Sequence, residues 1–347
     1  MRTVTTTFDL AAYDEFVATQ PAFNAYHLRG WTEVLSNTYG YIPTTLAALN
    51  ASGKIEGVLP LMRVHGRLKG RRLVSLPFSH CVPILATSSS VKSALLDAAI
   101  DVARRENYAF VELKTRQPLE HEAFQPSILN HISELSLSPE PDALFSGFSK
   151  GNRRDIRKAE SADFSIRRAE SHADFDSFHR LEVITRQRQG APVYPIKFFR
   201  HMADSLTQQV NCFLASYQGR DVAGIVTLNA GTQAIYGYGA SVRDEDVLHL
   251  YPNNLLIWHA IKAAKDAGLH TFDFGTTPLH LESLLAFKNR FRPQHSELPY
   301  WYYLNDGAHL PVIKRDSPSV KLVSSVLRLM PRPLFKQFSP LLLREVG

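Results

Sequence analysis

Apolar residues recur every three or four positions in several segments of the chain, which predicts amphipathic helices. These helices are expected at 8–17, 31–35, 91–105, 172–186, 196–206, 254–267 and 280–290. Other segments are short, apolar or alternating, and turn residues bound them, which predicts strands. These strands are expected at 44–50, 55–64, 71–77, 109–114, 164–170, 211–217, 221–230, 233–241, 270–275 and 299–304.

The order of these elements is similar in the two halves of the chain. Each half begins with helices, continues with a meander of strands, and ends with a long helix and a further strand. This order predicts an α+β or mixed α/β fold with a mainly antiparallel sheet. A length of 347 residues favours about two domains. We expect an N-terminal domain at 1–145, a basic linker at 146–160, a C-terminal domain at 161–316 and an amphipathic helical segment at 317–347.

Composition and charge are those of an ordinary globular protein with a basic surface. Hydrophobic residues make up 44% of the chain and charged residues 21%, and the formal net charge is +6. A positive charge favours anionic partners, although charge of this size also serves solubility alone. The two cysteines, Cys81 and Cys212, lie far apart and form no CxxC motif. They indicate no disulfide framework, and a reducing compartment is the expected location.

Neither the N-terminal residues nor the longest uncharged stretch suggests secretion or a membrane span. The N-terminal residues MRTVTTTFDLAAYDEF lack the apolar core of a signal peptide. The uncharged stretch 222–242 has the length of a transmembrane helix, but it alternates and contains glycines, so we interpret it as a hairpin. We therefore expect a cytoplasmic protein. No sequence pattern predicts a phosphate-binding P-loop, a dinucleotide fingerprint or a metal site.

Four segments together resemble the FemAB-like, tandem-GNAT transferases, especially those of cell-wall or exopolysaccharide systems. They are FSKGNRRDIRKAE (148–160), RQRQGAPVYPIKFF (186–199), FDFGTT (272–277) and LAFKNRFRPQHSELPYWYYL (285–304). The N-terminal YHLRGWTEVLSNTYGY is also similar to the opening of this family. The resemblance implies two GNAT-like domains with the reaction centre largely in the second.

The resemblance also implies an activity. The enzyme would transfer an acyl or aminoacyl group onto an amine or hydroxyl of a small-molecule or lipid-linked envelope precursor. The donor would be acyl-CoA or aminoacyl-tRNA, used as a substrate and not as a permanent cofactor. The alternative is a non-catalytic GNAT-like protein that binds RNA or another anionic polymer through its basic stretch.

Lys288 is the first candidate catalytic residue. In the resemblance, the pair Phe287-Lys288 lies at the reacting carbonyl, where an ammonium can stabilise an oxyanion. The alternative is a lysine on a solvated helix face. Asp273 is a candidate general base, or it orients Lys288, or its role is structural. Arg290 and Phe287 are candidate substrate-binding residues.

Basic and loop residues form a second group of candidates. Donor phosphates are expected at Lys150, Arg153, Arg154, Arg157 and Lys158, which otherwise form a solvated linker. Substrate is expected near Arg186, Arg188 and Gly190, which otherwise form an ordinary helix end. Tyr236 and Tyr238 alternate on one strand, so we expect them on one face, either in an acceptor pocket or in the core.

One departure from the GNAT pattern concerns the donor. Many GNAT enzymes bind coenzyme A through a Q/R-x-x-G-x-G/A loop, and the segment here reads HLYPNNLLIWHA. Asn253 or Asn254 is expected to cap the following helix, whose N–H groups can still receive a phosphate. The C-terminal segment 317–347 has apolar residues at helical spacing with basic residues nearby. It is expected either to touch an anionic membrane weakly or to pack as an ordinary helix.

Overall fold

The computed structural model describes residues 3–66, 70–138, 140–310 and 317–346, without the side chains of Leu129 and Val346. The chain divides into two compact units. The first comprises Met1–His131, Glu297–Ile313 and Arg344–Gly347, and the second comprises Ile132–Ser296 and Lys314–Leu343.

Every helix and strand predicted from the sequence has a counterpart in the described chain. The elements up to residue 114 are β1 (Thr3–Thr5), α1 (Leu10–Ala18), α2 (Arg29–Tyr39), β2 (Ile42–Pro43), β3 (Leu46–Leu49), β4 (Ile55–Leu59), β5 (Met62–Gly66), β6 (Gly70–Val74), β7 (Leu85–Ala86), α3 (Ser89–Arg105) and β8 (Phe110–Lys114). The remaining elements are β9 (Gln125–Ser136), α4 (Pro141–Gly147), α5 (Lys150–Glu160), β10 (Phe164–Arg168), α6 (His172–Gln189), α7 (Ile196–Ser205), β11 (Val210–Tyr217), β12 (Arg220–Ala230), β13 (Gln233–Ser241), α8 (Glu245–Leu248), α9 (Pro252–Asp266), β14 (Thr271–Pro278), α10 (Glu282–Asn289), β15 (Gln294–Leu304), α11 (Pro318–Leu329) and α12 (Arg332–Val346).

The first unit contains two sets of strands around helix α3. Strands β1, β3, β4 and β7 pair antiparallel in that order. In the other set, β8 is parallel to β6 and antiparallel to β15, and β5 and β2 follow β6. The predicted single strand 55–64 is thus two strands in different sheets. Pro60 lies between them, and proline cannot donate a hydrogen bond to a ladder.

The second unit is built on the meander β10-β11-β12-β13, with β14 parallel to β13. Helix α6 packs on one face of this sheet, where Gly224 has no side chain and Phe178 approaches its α carbon closely. Helices α5 and α9 cover the other face, and their buried residues Ile156, Leu256 and Ile261 share a core with Ile225 of β12. A mixed α/β architecture with helices on both faces of a sheet therefore holds the candidate site.

The segment 146–160, predicted as a basic linker, is mostly helix α5. Ser149 begins this helix by accepting a hydrogen bond from the backbone N–H of Asn152, at 3.2 Å. Asn152, Asp155, Ile156 and Ala159 are buried at the spacing of one helical face. The predicted domain bounds 1–145 and 161–316 remain predictions. The chain passes between the two compact units inside β9, inside β15, between β15 and α11, and inside α12.

Strand β9 has no counterpart among the predicted strands. Its sequence, QPSILNHISELS, interrupts the apolar positions with Asn130, His131 and Glu134. Polar residues at these positions hide the alternation that marks a half-buried strand. Tertiary pairing, which local sequence does not encode, therefore decides the conformation of this segment.

Substitution of Ile156 tests whether α5 belongs to the core of the second unit. Ile156 is fully buried, so Ile156→Ala is expected to lower the free energy of unfolding by about 2–5 kcal/mol through lost contacts and a cavity. Lys150→Ala, at an exposed position of the same helix, is the control and is expected to change stability by less than about 0.5 kcal/mol. Urea unfolding followed by circular dichroism measures both. Equal stabilities of the two variants would contradict a core role for α5.

Candidate active site

Lys288 is buried at the end of strand β14. Its side chain extends from α10 and is 3% exposed. The Nζ atom donates hydrogen bonds to the carbonyl oxygens of Gly275, at 2.8 Å, and Thr276, at 3.0 Å. Gly275 has a φ of 68°, a left-handed conformation that glycine adopts at low cost. An ammonium has three N–H donors, so these two bonds leave one for a ligand.

Burial changes the acidity of Lys288. Removal from water lowers the pKa of its ammonium to about 8, and the negative charge of Asp273 opposes this shift. The group therefore remains mainly protonated at neutral pH and loses its charge in mildly alkaline solution. The interpretation of Lys288 as a residue on a solvated helix face is wrong, because the side chain is enclosed.

Asp273 holds the turn to which Lys288 is bonded. Its carboxylate is 1% exposed and accepts a hydrogen bond from the backbone N–H of Gly275, at 2.7 Å. This contact fixes the direction of the Gly275 peptide, and with it the carbonyl oxygen that Lys288 binds. Of the roles predicted for Asp273, these contacts favour orientation of Lys288.

Phe287 and Arg290 attach the helix of Lys288 to its surroundings. The ring of Phe287 lies 5.9 Å from that of Phe291, which in turn lies 5.3 Å from the ring of Phe274 on β14. The guanidinium of Arg290 donates to the carboxylate of Asp155 on α5. These contacts give both residues a positioning role, and the prediction that they bind substrate remains a prediction.

The parallel ladder between β13 and β14 ends beside Lys288. Their parallel ladder joins only Gln233–Ile235 to Thr271–Asp273, although the strands continue to Ser241 and Pro278. The ladder therefore stops two residues before Gly275, which carries one of the carbonyls bonded to Lys288. Backbone groups beyond the end of a ladder can bind an extended ligand, as the groups of a sheet edge do.

Tyr236 and Tyr238 lie on opposite faces of β13, so the prediction of a shared face is wrong. Tyr236 pairs with Thr227 of β12, and Tyr238 pairs with the adjacent residue Val226. Gly237, which lies between the two tyrosines, is therefore an extra residue on β13. Such a bulge reverses the alternation of side chains. Tyr236 packs in the core with α9, and Tyr238 packs against aromatic residues of the α6–α7 side, with its ring 5.1 Å from that of Tyr194.

A buried ion pair lies on the Tyr238 side of the sheet. The Nε of Arg186 donates to the carboxylate of Glu182, at 2.7 Å, and Glu182 is 1% exposed. The guanidinium also lies 5.2 Å above the ring of Tyr194. Burial lowers the pKa of Arg186, but the charge and hydrogen bond of Glu182, together with Tyr194 and Tyr238, outweigh burial and raise that pKa above its ordinary value. Glu182 and Tyr194 were not among the residues predicted from the sequence, although the i, i+4 spacing of Glu182 and Arg186 is a recognisable signal.

Arg188 and Gly190 lie at the end of helix α6. Gly190 has a φ of 67° and caps this helix. A Cβ at this position would approach the carbonyl oxygen of Ser324 on α11 to 2.7 Å. The exposed Arg188 lies 3.4 Å from the carbonyl oxygen of Val242. These contacts favour the ordinary helix end over the predicted ligand-binding loop.

The basic residues of α5 mostly contact neighbouring groups of the second unit. Arg153 donates to the carbonyl oxygens of Ser146 and Phe148, and Arg154 donates to Asp155. Arg157 lies above the ring of Phe145 and Lys158 above that of Tyr251. Lys150 is exposed at the start of the helix. The stretch is thus a structured helix face, which weakens its interpretation as a polymer-binding linker.

Lys158 lies beside the beginning of helix α9. Tyr251 precedes this helix in a left-handed conformation, and no side chain caps its first turn. Asn254, predicted to cap the helix or to bind phosphate, is buried and donates from Nδ2 to Oδ1 of Asn152 on α5, at 2.7 Å. Asn253 is half-buried in the first turn. The backbone N–H end of α9, with Lys158 and Asn253, is therefore the part of this prediction that the geometry favours.

The first unit has a buried lysine of its own, Lys114 at the end of β8. Its Nζ lies 3.3 Å from the carbonyl oxygen of Ser79, 3.4 Å from that of Leu76 and 3.5 Å from the carboxylate of Glu112. Burial lowers the pKa of this lysine. Leu76 has a φ of 44°, an unusual conformation for a bulky residue. This cluster could not be predicted from the sequence, because the pattern of AFVELK is that of an ordinary strand.

The described ranges contain neither a candidate metal site nor a candidate membrane-spanning helix. No group of three or more histidine, cysteine or acidic side chains in them is arranged to hold a metal ion. None of the helices in the same ranges is both long and apolar enough to cross a membrane.

Replacement of Lys288 tests its burial through the pH dependence of stability. The folded state releases the proton of Lys288 near pH 8, whereas the unfolded chain keeps it until its ordinary pKa of about 10.4. Wild-type stability should thus rise relative to Lys288→Met between these pH values, by up to about 3 kcal/mol. Urea unfolding at pH 7.5 and pH 10 measures this change. A wild-type-to-Met difference that is the same at both pH values would contradict the buried ammonium, and the exposed Lys54→Met is the control.

Known proteins share this fold and one of its domains. Residues 146–288 match the family described as an acetyltransferase (GNAT) domain, and no curated protein matches the chain by sequence. The structure of FemX aligns with 93% of this chain and 100% of its own at a TM-score of 0.72 and 16% identity. The C-terminal domain of a putative lysylphosphatidylglycerol synthetase from Agrobacterium fabrum aligns over 91% of this chain and 96% of its own, at a TM-score of 0.56 and 13% identity. A tandem GNAT protein from the clavulanic acid biosynthesis pathway covers 87% of this chain and 98% of its own, at a TM-score of 0.54 and 11% identity. Residues 146–288 thus match a GNAT acetyltransferase domain, and the whole chain shares the fold of FemX and of tandem GNAT proteins.

Proposed function

We propose that the second unit transfers an acyl or aminoacyl group from an activated donor to an amine or hydroxyl of a cell-envelope or polysaccharide precursor. The observation that carries this proposal is the position of Lys288. Its ammonium is buried and hydrogen-bonded to two carbonyl oxygens of β14, just beyond the point where the ladder between β13 and β14 ends. A preorganised cation at such a place suits a reaction in which negative charge develops on a carbonyl oxygen.

In our proposal, Lys288 acts on the tetrahedral intermediate. The acceptor nitrogen or oxygen attacks the donor carbonyl carbon, and the carbonyl electron pair moves onto oxygen. The remaining N–H of Lys288 donates a hydrogen bond to that oxyanion. When the carbonyl re-forms, the bond to the donor's thiol or hydroxyl breaks, and the proton of the acceptor passes to solvent or to the leaving group. Asp273 and Arg290 act earlier, by holding the Gly275 turn and helix α10 in place.

The donor carries phosphate in both candidate forms, acyl-CoA and aminoacyl-tRNA. In our proposal a donor phosphate binds at the N-terminal end of α9, because its backbone N–H groups and the positive end of the helix dipole favour an anion. Lys158 contributes a charge there, since its Nζ lies 5.5 Å from the ring of Tyr251, the residue that precedes α9. The aminoacyl form is supported by the fold shared with a putative lysylphosphatidylglycerol synthetase.

An envelope precursor is the acceptor that the FemAB-like resemblance favours. The fold that this chain shares with FemX supports the comparison with this group of enzymes. We propose a cytoplasmic site of action, which the sequence composition favours. A small-molecule or lipid-linked precursor and a charged tRNA are the partners to be tested first.

Turnover by Lys288 variants tests the proposed function. Wild-type protein is assayed for thiol release from acetyl-CoA and longer acyl-CoAs, and for loss of radiolabelled amino acid from aminoacyl-tRNA, with nucleotide-linked amino sugars as acceptors. With the active pair, Lys288→Met is expected to lower kcat about 10²–10³-fold, because one oxyanion donor is lost. The KM of the donor should change little, since Lys288 acts on the intermediate.

Lys54→Met, at an exposed lysine of a turn in the first unit, is the matched control and is expected to keep wild-type kcat. A folded Lys288→Met variant with wild-type kcat/KM would remove Lys288 from catalysis. Failure of every donor with wild-type protein, together with salt-dependent RNA binding lost in Arg154→Gln/Lys158→Gln, would replace this proposal by the non-catalytic RNA-binding function.

A further inference from the structure

Exposed apolar side chains are concentrated in the two C-terminal helices, α11 and α12. Seven of the twelve large hydrophobic residues that are exposed in the described chain lie between residues 322 and 341. Leu329 is 85% exposed, Leu322 66% and Leu341 62%. Single exposed leucines are common on protein surfaces, but a concentrated patch marks an interaction surface.

Helix α11 has a buried apolar face and an exposed apolar face. Leu327 is buried and belongs to a core with Val183 of α6, so this face attaches the helix to the second unit. Leu322, Val326 and Leu329 follow the spacing i, i+4, i+7 and are all exposed. Because Leu327 is one residue after Val326, its side chain points about 100° away from theirs. The exposed stripe is therefore not packed in the core that contains Leu327.

Helix α12 repeats the same arrangement. Phe335 is fully buried in the same core as Leu327. Leu334, Phe338 and Leu341 again follow the spacing i, i+4, i+7, and they are exposed by 45%, 49% and 62%. Two helices in succession thus each have one anchored face and one exposed apolar face.

Basic residues flank both exposed stripes. Residues 317–346 contain one acidic residue, Glu345, and five basic ones, Lys321, Arg328, Arg332, Lys336 and Arg344. All five basic side chains are exposed. In α11, Lys321 and Arg328 each immediately precede a residue of the apolar stripe, Leu322 or Leu329. An apolar face bordered by cations is the surface that binds at the boundary of an anionic lipid layer.

We propose that α11 and α12 dock the protein peripherally on the surface of an anionic phospholipid bilayer. The exposed leucines, valines and phenylalanine enter the boundary between headgroups and acyl chains, and the flanking lysines and arginines bind lipid phosphates. This inference concerns where the protein acts, and it stands independently of the catalytic role proposed for Lys288.

A second copy of the chain fits this surface less well than a bilayer does. Two copies joined through this face would bring like charges together, because the segment has five basic residues and one acidic residue. An anionic lipid surface complements the same charges. Binding at the surface of a bilayer also suits helices that are amphipathic and that pack against the protein on one face.

Vesicle binding by the full-length chain tests the proposal. The probe is a suspension of large vesicles made of phosphatidylglycerol and phosphatidylcholine at 30:70, with pure phosphatidylcholine vesicles for comparison, and binding is measured by co-sedimentation. Wild-type protein is expected to partition onto the anionic vesicles at least about tenfold more strongly than onto the neutral ones, in a salt-dependent way. The triple variant Leu322→Ser/Leu329→Ser/Leu341→Ser is expected to lose about 100-fold in partitioning, because the three most exposed side chains no longer enter the lipid.

The control variant Leu10→Ser/Ile42→Ser removes exposed apolar side chains of the first unit and should bind vesicles as the wild type does. In a second readout, Phe338→Trp is expected to shift its fluorescence to the blue on addition of anionic vesicles, and Leu10→Trp is not. Equal binding of wild type and triple variant, equal binding to neutral vesicles, or no binding at all would overturn the proposal. Dimerisation seen by analytical ultracentrifugation and abolished in the triple variant would assign the face to a second copy instead.

Discussion

The hydrogen bonds from the Lys288 ammonium to the carbonyl oxygens of Gly275 and Thr276 are the interaction on which the candidate site depends. They hold a cation in a place from which water is largely excluded, and burial lowers the pKa of that cation to about 8. Such a group costs stability, because the ammonium gives up its hydration. In the function proposed above, this cost arises at the point where negative charge develops during acyl transfer.

The rest of the second unit supports this arrangement. Asp273 fixes the Gly275 peptide, and the ring of Phe291 connects α10 to β14. Arg290 connects α10 to Asp155 on α5. Helix α5, which the sequence presents as a basic linker, is therefore part of the framework that positions Lys288. Its buried residues explain why a segment rich in arginine does not behave as a flexible connection.

Much of the fold could be predicted, because helices such as α3 and α9 and the meander β11–β13 have clear apolar periodicity. Strand β9 and the division of the chain inside β9 and β15 could not, since both depend on pairing between residues distant in sequence. In the site, the resemblance singled out Lys288, Asp273 and Phe287. The positions of Tyr236 and Tyr238 on opposite faces of β13 could not be predicted. The extra residue Gly237 interrupts the alternation of side chains on which the prediction rested. The ion pair of Glu182 was missed because its burial is a tertiary property.

The pH dependence of kcat/KM, compared between wild type and Lys288→Arg with the active donor and acceptor, tests the role of the ammonium most directly. The pKa of Lys288 is about 8, whereas an arginine stays charged throughout this range. The ratio of wild-type to Arg-variant rates cancels the ionisation of the acceptor, which the two enzymes share. We predict that this ratio falls about tenfold per pH unit above pH 8, as the ammonium of Lys288 loses its proton. A ratio that stays constant from pH 7 to pH 10 would contradict oxyanion stabilisation by the charged form of Lys288.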